Sequence, residues 1–317
     1  MGMAGDGAGF GDSPVVTGGN IPGSDFPAFS LIQPAGCPIP VIIAAPHGGR
    51  EYPESLTERM RQPEWTALRL EDRYIDLLAA ETAAQSGAAF LSAHAPRAML
   101  DLNRASDDLD WQMVEGCADP GARHSAANRR ARSGLGLVPR RLSGLGEIWK
   151  GPIARSELDA RIESIHRPYH RMLAQSLEDI RDRWGAALLL DFHSMPPLKR
   201  RHLGDRPAEI VLGDRFGSTC EAMLVSAAFR YLGRVGRSTA HNRPYAGGYV
   251  LDRHAAPARG IHALQVEVCR SLYLDSKFEQ PTARMGALAK QLAGLVRELA
   301  RDVADLGLNR RPPLAAE

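Results

Sequence analysis

Two histidines in this sequence stand where short apolar runs end. In "IPVIIAAPHGGREYPESL" (39–56) the run Val41–Ala45 meets a proline and delivers His47 into a Gly-Gly turn. In "LLLDFHSMPP" (188–197) a second run delivers Asp191 and His193. Their side chains share a face, because a strand alternates with period two. An imidazole presents a nitrogen lone pair to a metal, and a nearby carboxylate can fix which nitrogen faces it. The familiar zinc pair H-x-x-E would want a carboxylate three residues after His47, but that position holds Arg50. Glu51, one residue further on, is the local acidic alternative.

A further carboxylate, Glu267, lies inside the apolar stretch "ALQVEVCR" (263–270), on the same face as Gln265. Burying it is costly unless it has partners or a role. Two readings stand: an ion pair with Arg270 or another arginine, or a general base beside a metal-activated water. Competing chemistries lack their frames. No G-x-S-x-G elbow, phosphate loop or H-E-x-x-H occurs, and no G-x-G-x-x-G opens a helix after a strand. Metal, carboxylate and arginine remain.

The elements that must position these groups follow from periodicity. Val41–Ala45, Ala88–Ala93, Ala98–Leu102, Ala186–Phe192, Glu209–Leu212 and Ile261–Val268 read as buried strands. Between them lie helical patterns. "EWTALRLEDRYIDLLAAETAAQ" puts Leu70, Tyr74, Leu77 and Leu78 on one face, with Gly87 as its stop. "SELDARIESIH" has Ser156 as its N-cap and is interrupted by Pro168, beyond which a second or kinked helix runs on. "TARMGALAKQLAGLVRELARDVADL" forms a long amphipathic helix. Alternating strands and helices predict an α/β fold, a three-layer αβα sandwich with a mixed, largely parallel sheet. In such sheets sites gather at the carboxyl ends of strands, where His47, Asn103-Arg104 and His193 fall.

Composition narrows the partners. The 317 residues are 44% hydrophobic and 24% charged, with a net charge of +2. That balance suits a globular core and advertises neither a nucleic-acid nor a membrane partner. No run approaches the ~18 apolar residues of a membrane span. The opening "MGMAGDGAGFGDSPVVTGGN" lacks the pattern of a secretory signal, and residues 1–25 read as a disordered Gly-rich lead-in to a single α/β domain over 26–317. Residues 105–152 read as an irregular insertion whose arginines (Arg123, Arg129, Arg130, Arg132, Arg140, Arg141) form a solvated surface offset by Asp107, Asp108 and Asp110. Cys37, Cys117, Cys220 and Cys269 are scattered, which suits reduced, buried thiols in a cytoplasm.

Eight segments, "PHGGREYP", "EDRYIDLL", "RAMLDLNR", "GLGLVPRR", "PYHRML", "DFHSMPP", "NRPYAGGYV" and "QVEVCRSLYLD", occur in this order. Together they resemble the N-formylglutamate amidohydrolase family, a branch of the zinc-dependent carboxypeptidase-like α/β hydrolases, over about residues 39–300. The resemblance implies one zinc ion, another divalent metal being the alternative, held by His47, His193 and an acidic ligand. Asp72 matches the acidic position that opens the helix after the first loop and is preferred to Glu51. It implies Glu267 as the general base and Asn103-Arg104 as the dipeptide that binds substrate carboxylate and oxyanion. Arg243 with Gly247-Gly248-Tyr249 resembles the family's glycine loop beside the substrate, and Arg97 is a further carboxylate partner. The implied reaction is hydrolysis of N-formyl-L-glutamate to formate and glutamate, as in one route of histidine degradation. Two alternatives stay open: a zinc amidohydrolase for another N-acyl amino acid or short peptide, and a non-catalytic ligand-binding relative.

Overall fold

The computed structural model describes Phe10 and residues 13–116, 129–200, 204 and 206–310. Cys117, Arg123 and residues 1–9, 11 and 12 of the Gly-rich lead-in lie outside the described residues. Ten strands are described: β1 (Val15–Gly18), β2 (Phe29–Ile32), β3 (Val41–Ala45), β4 (Ala89–Ala93), β5 (Arg141–Leu142), β6 (Gly146–Glu147), β7 (Ala187–Met195), β8 (Ile210–Gly213), β9 (Thr239–His241) and β10 (Ile261–Cys269). The helices are α1 (Glu54–Thr57), α2 (Pro63–Leu70), α3 (Ile75–Ser86), α4 (Arg129–Arg132), α5 (Arg155–Arg161), α6 (Arg167–Trp184), α7 (Ala222–Arg234), α8 (Tyr249–His254) and α9 (Arg284–Arg310).

Eight strands form one mixed sheet in the order β1-β2-β4-β3-β7-β10-β8-β9. Its centre, β4-β3-β7-β10, is parallel; β2 joins β4 and β8 joins β10 antiparallel. Strand alternation splits the side chains between two cores. Val41, Ile43, Leu188, Leu190, Leu264 and Val266 pack towards α3, α7 and α9. Ile42, Ala44, Ala187, Leu189 and Ala263 pack towards α5 and α6. Helices on both faces of a mixed sheet make the α/β fold expected from the alternation of patterns. Among the described residues no helix is long and apolar enough to cross a membrane.

Four local expectations change. Residues 15–18, assigned to the lead-in for their glycine-rich setting, form the edge strand β1 against β2. Ala98–Leu102 is not a strand. These residues are buried, but the amides of Met99 and Leu100 turn back to the Pro96 carbonyl; an apolar run in a buried turn has the composition of a strand. The long helix expected from Glu64 to Gln85 breaks into α2 and α3, because the Asp72 amide donates to the His47 carbonyl and Tyr74 adopts a left-handed φ of 57°. Ser156 does not cap α5; Ala154 stands at that position without a side-chain bond.

Pro168 leaves a different mark. A π-helical turn, Ile162–His166, joins α5 to α6. Proline has no N–H to give the carbonyl four residues back, and the Ser164 carbonyl instead accepts the Asn20 amide at 2.9 Å. The described parts of the insertion, residues 105–116 and 129–152, send Leu109, Met113, Leu137 and Trp149 into the core on the α6 side. Cys37, Cys220 and Cys269 are buried free thiols.

One polar contact ties α6 to α8: His170 Nδ1 lies 2.9 Å from His254 Nε2, with both rings buried. Burial, with Arg253 and His166 adding repulsion, lowers His254 to about 3. The unfolded chain therefore binds a proton near pH 6.5 that the folded chain refuses until about pH 3. Stability from this group is full above pH 6.5 and declines on acidification, by up to about 1.4 kcal/mol per pH unit. Urea unfolding at pH 6.5 and 5 is expected to show a shallower loss in His254→Gln than in the natural chain.

Candidate metal centre

On the α6 face of the sheet, β7 and β10 change character along their length. Ala187, Leu189 and Ala263 are core residues, whereas Asp191, His193, Gln265 and Glu267 follow at the carboxyl ends. The register pairs Gln265 with Asp191 and Glu267 with His193. Neighbours in register share a face, so four polar side chains meet in one row beneath the strand ends. β3 ends alongside and carries His47 past Pro46, with the two rings 4.7 Å apart and edge to face.

Each imidazole is held from behind. His47 Nε2 is 2.7 Å from Asp101 Oδ1, and His193 Nε2 is 2.9 Å from Asp191 Oδ2. A carboxylate accepts, so each ring carries a proton on Nε2 and turns Nδ1 forward. Asp72, in the break between α2 and α3, faces both: its Oδ2 is 2.9 Å from His193 Nδ1 and 3.5 Å from His47 Nδ1. The ligand atoms of His47, Asp72 and His193 all lie within 4.8 Å of one another, and all three residues are buried. Among the described residues, buried His47 Nδ1 has no hydrogen-bond partner. An orphaned nitrogen aimed at a carboxylate and a second imidazole fits a divalent metal, and the donor set, two nitrogens and one oxygen, is of the kind that binds zinc.

The electrostatics agree. Burial opposes the ionised form of Asp72, but the hydrogen bond from His193 and the positive charge of His47 and His193 outweigh it and hold the carboxyl far below its ordinary range. Burial likewise opposes charge on His193, yet Asp191 and Asp72 raise it well above an ordinary histidine. The cluster thus demands a positive charge between His193 and Asp72, which a proton or a metal can supply. Arg270 reaches the other Asp72 oxygen at 3.4 Å and the Ser194 hydroxyl at 3.0 Å. Arg97 holds Asp101 Oδ2 at 2.9 Å. Burial pushes the Asp101 carboxyl up, while the charges of Arg97, Arg104 and His47 bring it well below the usual range.

Glu267 lies beside this group. Burial raises its carboxyl to about 7, with His193 pulling the other way. Its hydrogen-bond partner is Gln265, whose amide donates to Oε1 at 2.9 Å; Arg270, the expected partner in the ion-pair reading, serves Asp72 instead. Asn103 sits between the centre and α8. Its amide nitrogen is 3.5 Å from His193 Nε2, and its Oδ1 accepts the Val250 N–H at 2.9 Å. Gly248 packs so closely on Asn103 that a Cβ there would lie 2.5 Å from Oδ1.

Other residues singled out in the sequence stand elsewhere. Glu51 is half-buried, its amide bonded to the His94 carbonyl, and it is not one of the three converging groups. Arg104 points Nε and Nη1 at the carbonyls of Leu135 and Asn103. The Tyr249 hydroxyl accepts from Arg253. Arg243 is exposed and lines a cavity of about 470 Å³ with Lys199, Arg206 and Pro244. Gly49 is crowded by protein backbone, a Cβ there falling 2.2 Å from the Ala95 carbonyl, which explains the Gly-Gly turn after His47. Two contributors were missed. Asp101 has the same signal as Glu267, a carboxylate inside an apolar run. Arg270 reads in the sequence only as a partner for Glu267, three residues before it.

Known proteins resemble this chain over most of its length. The N-formylglutamate amidohydrolase family profile matches residues 39–274. The N-formylglutamate deformylase of Pseudomonas aeruginosa is 27% identical over 275 residues, spanning 86% of this chain and 95% of that protein. The Pseudomonas putida deformylase is 26% identical over 278 residues, with the same shares covered. Among solved structures, the N-formylglutamate amidohydrolase of Ralstonia eutropha superposes with a TM-score of 0.77 at 30% identity, covering 87% of this chain and 98% of that one.

If Asp101 fixes the His47 ring, Asp101→Asn is expected to weaken metal affinity about 10- to 100-fold, read by chelator competition. Glu51→Gln should leave that affinity unchanged, whereas Asp72→Ala should lower metal stoichiometry to near zero.

Proposed function

The chain belongs to the N-formylglutamate amidohydrolase family, and from that premise we propose that it is a zinc-dependent amidohydrolase that cleaves N-formyl-L-glutamate to formate and L-glutamate. The observation that carries this reading is the convergence of His47 Nδ1, His193 Nδ1 and Asp72 Oδ2 beside the raised carboxyl of Glu267. His47, Asp72 and His193 would hold the ion. Bound there, zinc supplies Lewis acidity, lowering the pKa of water to roughly 7 and polarising the amide carbonyl.

The chain's own groups then divide the work. Glu267 is the general base. Gln265 occupies its Oε1, so Oε2 takes the proton from water as the water oxygen adds to the formyl carbon. When the C–N bond breaks, the same oxygen returns the proton to the leaving amine. A carboxyl near 7 exchanges protons in both directions at neutral pH. Asp101 and Asp191 keep the two imidazoles in the tautomer that leaves Nδ1 free, and Arg97 and Arg104 balance the charge of Asp101.

The substrate carries two carboxylates, which call for cationic partners. The donors of Arg97 and Arg104 are largely engaged within the protein, whereas Arg243 faces the cavity it shares with Lys199 and Arg206. Tyr245, two residues on, is half-buried; burial first, then the charges of Glu267 and Asp72, raise its hydroxyl, which supports reading this segment as within electrostatic reach of the centre. We therefore assign substrate carboxylate binding first to Arg243. The buried free thiols suit a reducing compartment, and we place the enzyme in the cytoplasm.

Glu267→Gln is expected to retain its metal by elemental analysis while kcat falls about 100-fold or more; near-normal turnover would remove the residue from the mechanism. A panel of N-formyl, N-acetyl and N-succinyl amino acids, assayed for amine release, should give the highest kcat/KM with N-formyl-L-glutamate. In Arg243→Met the KM for that substrate should rise about 10-fold, the worth of one lost ionic hydrogen bond, with little change for a neutral N-formyl amino acid.

A further inference from the structure

The segment "PYHRML" has no part in the mechanism above, yet its His170, on α6, and His166, just before α6, lie against the Asn103 loop. His166 ends the π-helical turn and His170 follows one turn later; both are buried, His170 completely. His170 Nε2 lies 3.0 Å from the Leu102 carbonyl, and His166 Nε2 lies 2.9 Å from the Arg104 carbonyl. A carbonyl oxygen only accepts, so both rings carry their proton on Nε2. The Nδ1 lone pair of His170 then accepts the Nε2–H of His254 at 2.9 Å. A directional chain thus runs from α8 through α6 into the loop.

Its target is the backbone on both sides of Asn103. The Asn103 carbonyl accepts from Arg104 Nη1 and the Asn103 amide donates to Asp101 Oδ1. The Arg104 amide returns to the Asp101 carbonyl. With the two imidazoles added, all three carbonyls of Leu102, Asn103 and Arg104 are engaged. The residues fixed by this bracing face the centre: Asp101 against His47 Nε2 and Asn103 beside His193 Nε2. The ring of Tyr249 packs on both histidines, with centroids 5.7 Å from His166 and 5.2 Å from His170. The chain of bonds needs a neutral His170, and burial, His166, His254 and Arg253 all disfavour its charge.

We propose that His170, oriented by His254, and His166 are positioning residues that set the Leu102–Arg104 backbone and so hold Asp101 and Asn103 in place at the metal centre. For its activity readout this rests on the deformylase reading; its other two readouts do not. The test uses the full-length protein. His170→Leu removes the donor at similar volume, and His170→Gln returns an N–H at the position of Nε2. Long-range ¹H–¹⁵N spectra of the natural protein are expected to show His166 and His170 as Nε2–H tautomers. In His170→Leu, zinc affinity by chelator competition should fall about 10-fold, as for lost support of a ligand's partner. At saturating zinc its kcat should fall by a similar factor with KM within about twofold, and His170→Gln should recover most of both losses. An Nδ1–H tautomer at His170, natural zinc affinity in His170→Leu, or equal losses in His170→Leu and His170→Gln would overturn the proposal. If His170→Leu does not fold, His166→Phe and His166→Gln provide the same comparison. If the natural protein leaves N-formyl-L-glutamate intact, the deformylase reading fails, and the tautomers and zinc affinities alone decide the positioning role.

Discussion

Two buried imidazoles, each bonded through Nε2 to a buried carboxylate, set the geometry on which the rest of this molecule depends. With Nε2 committed to Asp101 or Asp191, a neutral ring has one lone pair left, on Nδ1, and both lone pairs turn towards Asp72. The sheet makes this possible. β3 and β7 are parallel neighbours, so their carboxyl ends, and the histidines they carry, reach the same edge. β10 continues the row and brings Glu267 level with His193.

Such a concentration of carboxylates in a buried space would be unstable alone. Arg97 and Arg104 serve Asp101, Arg270 serves Asp72, and a cation is called for between Asp72 and the two Nδ1 atoms. Among the described residues no arginine is bonded to Glu267, and Arg97 acts on it only through its charge. The partner of Glu267 is the neutral amide of Gln265, which leaves burial to raise its carboxyl. The same surroundings therefore depress Asp72 and elevate Glu267. Neighbouring carboxyls pushed apart in this way are suited to different protonation roles.

Much of the frame was readable from local pattern. Val41–Ala45 is found with the predicted boundaries, and Ala88–Ala93, Ile261–Val268 and the long C-terminal helix within one to four residues at either end. Apolar runs of four or more residues between Pro and Gly have few alternatives in a buried sheet. The failures share a cause. Ala98–Leu102 is as apolar as a strand but is folded as a turn by Pro96 and by an Asp101 amide bonded to Leu137, 36 residues away. The helical pattern through Glu71 and Asp72 is real on both sides, yet the chain leaves it where the His47 carbonyl takes the Asp72 amide. Local periodicity cannot register a partner distant in sequence.

The amino-acid sequence by itself determined the layers, the parallel centre of the sheet, and the delivery of His47, His193 and Glu267 to strand ends. These follow from side-chain period and from where apolar runs stop. Strand period already put Asp191 on the face of His193, but apart from the family resemblance only tertiary structure decided which carboxylates face His47. Glu51 is four residues from His47 and turns away with its amide on His94, whereas Asp72 and Asp101 arrive from 25 and 54 positions further along the chain. A carboxylate can approach two buried imidazoles only where a helix breaks or a turn closes on them; the Asp72 break is made by a backbone hydrogen bond to His47 itself, and the Asp101 turn by bonds to Pro96 and Leu137.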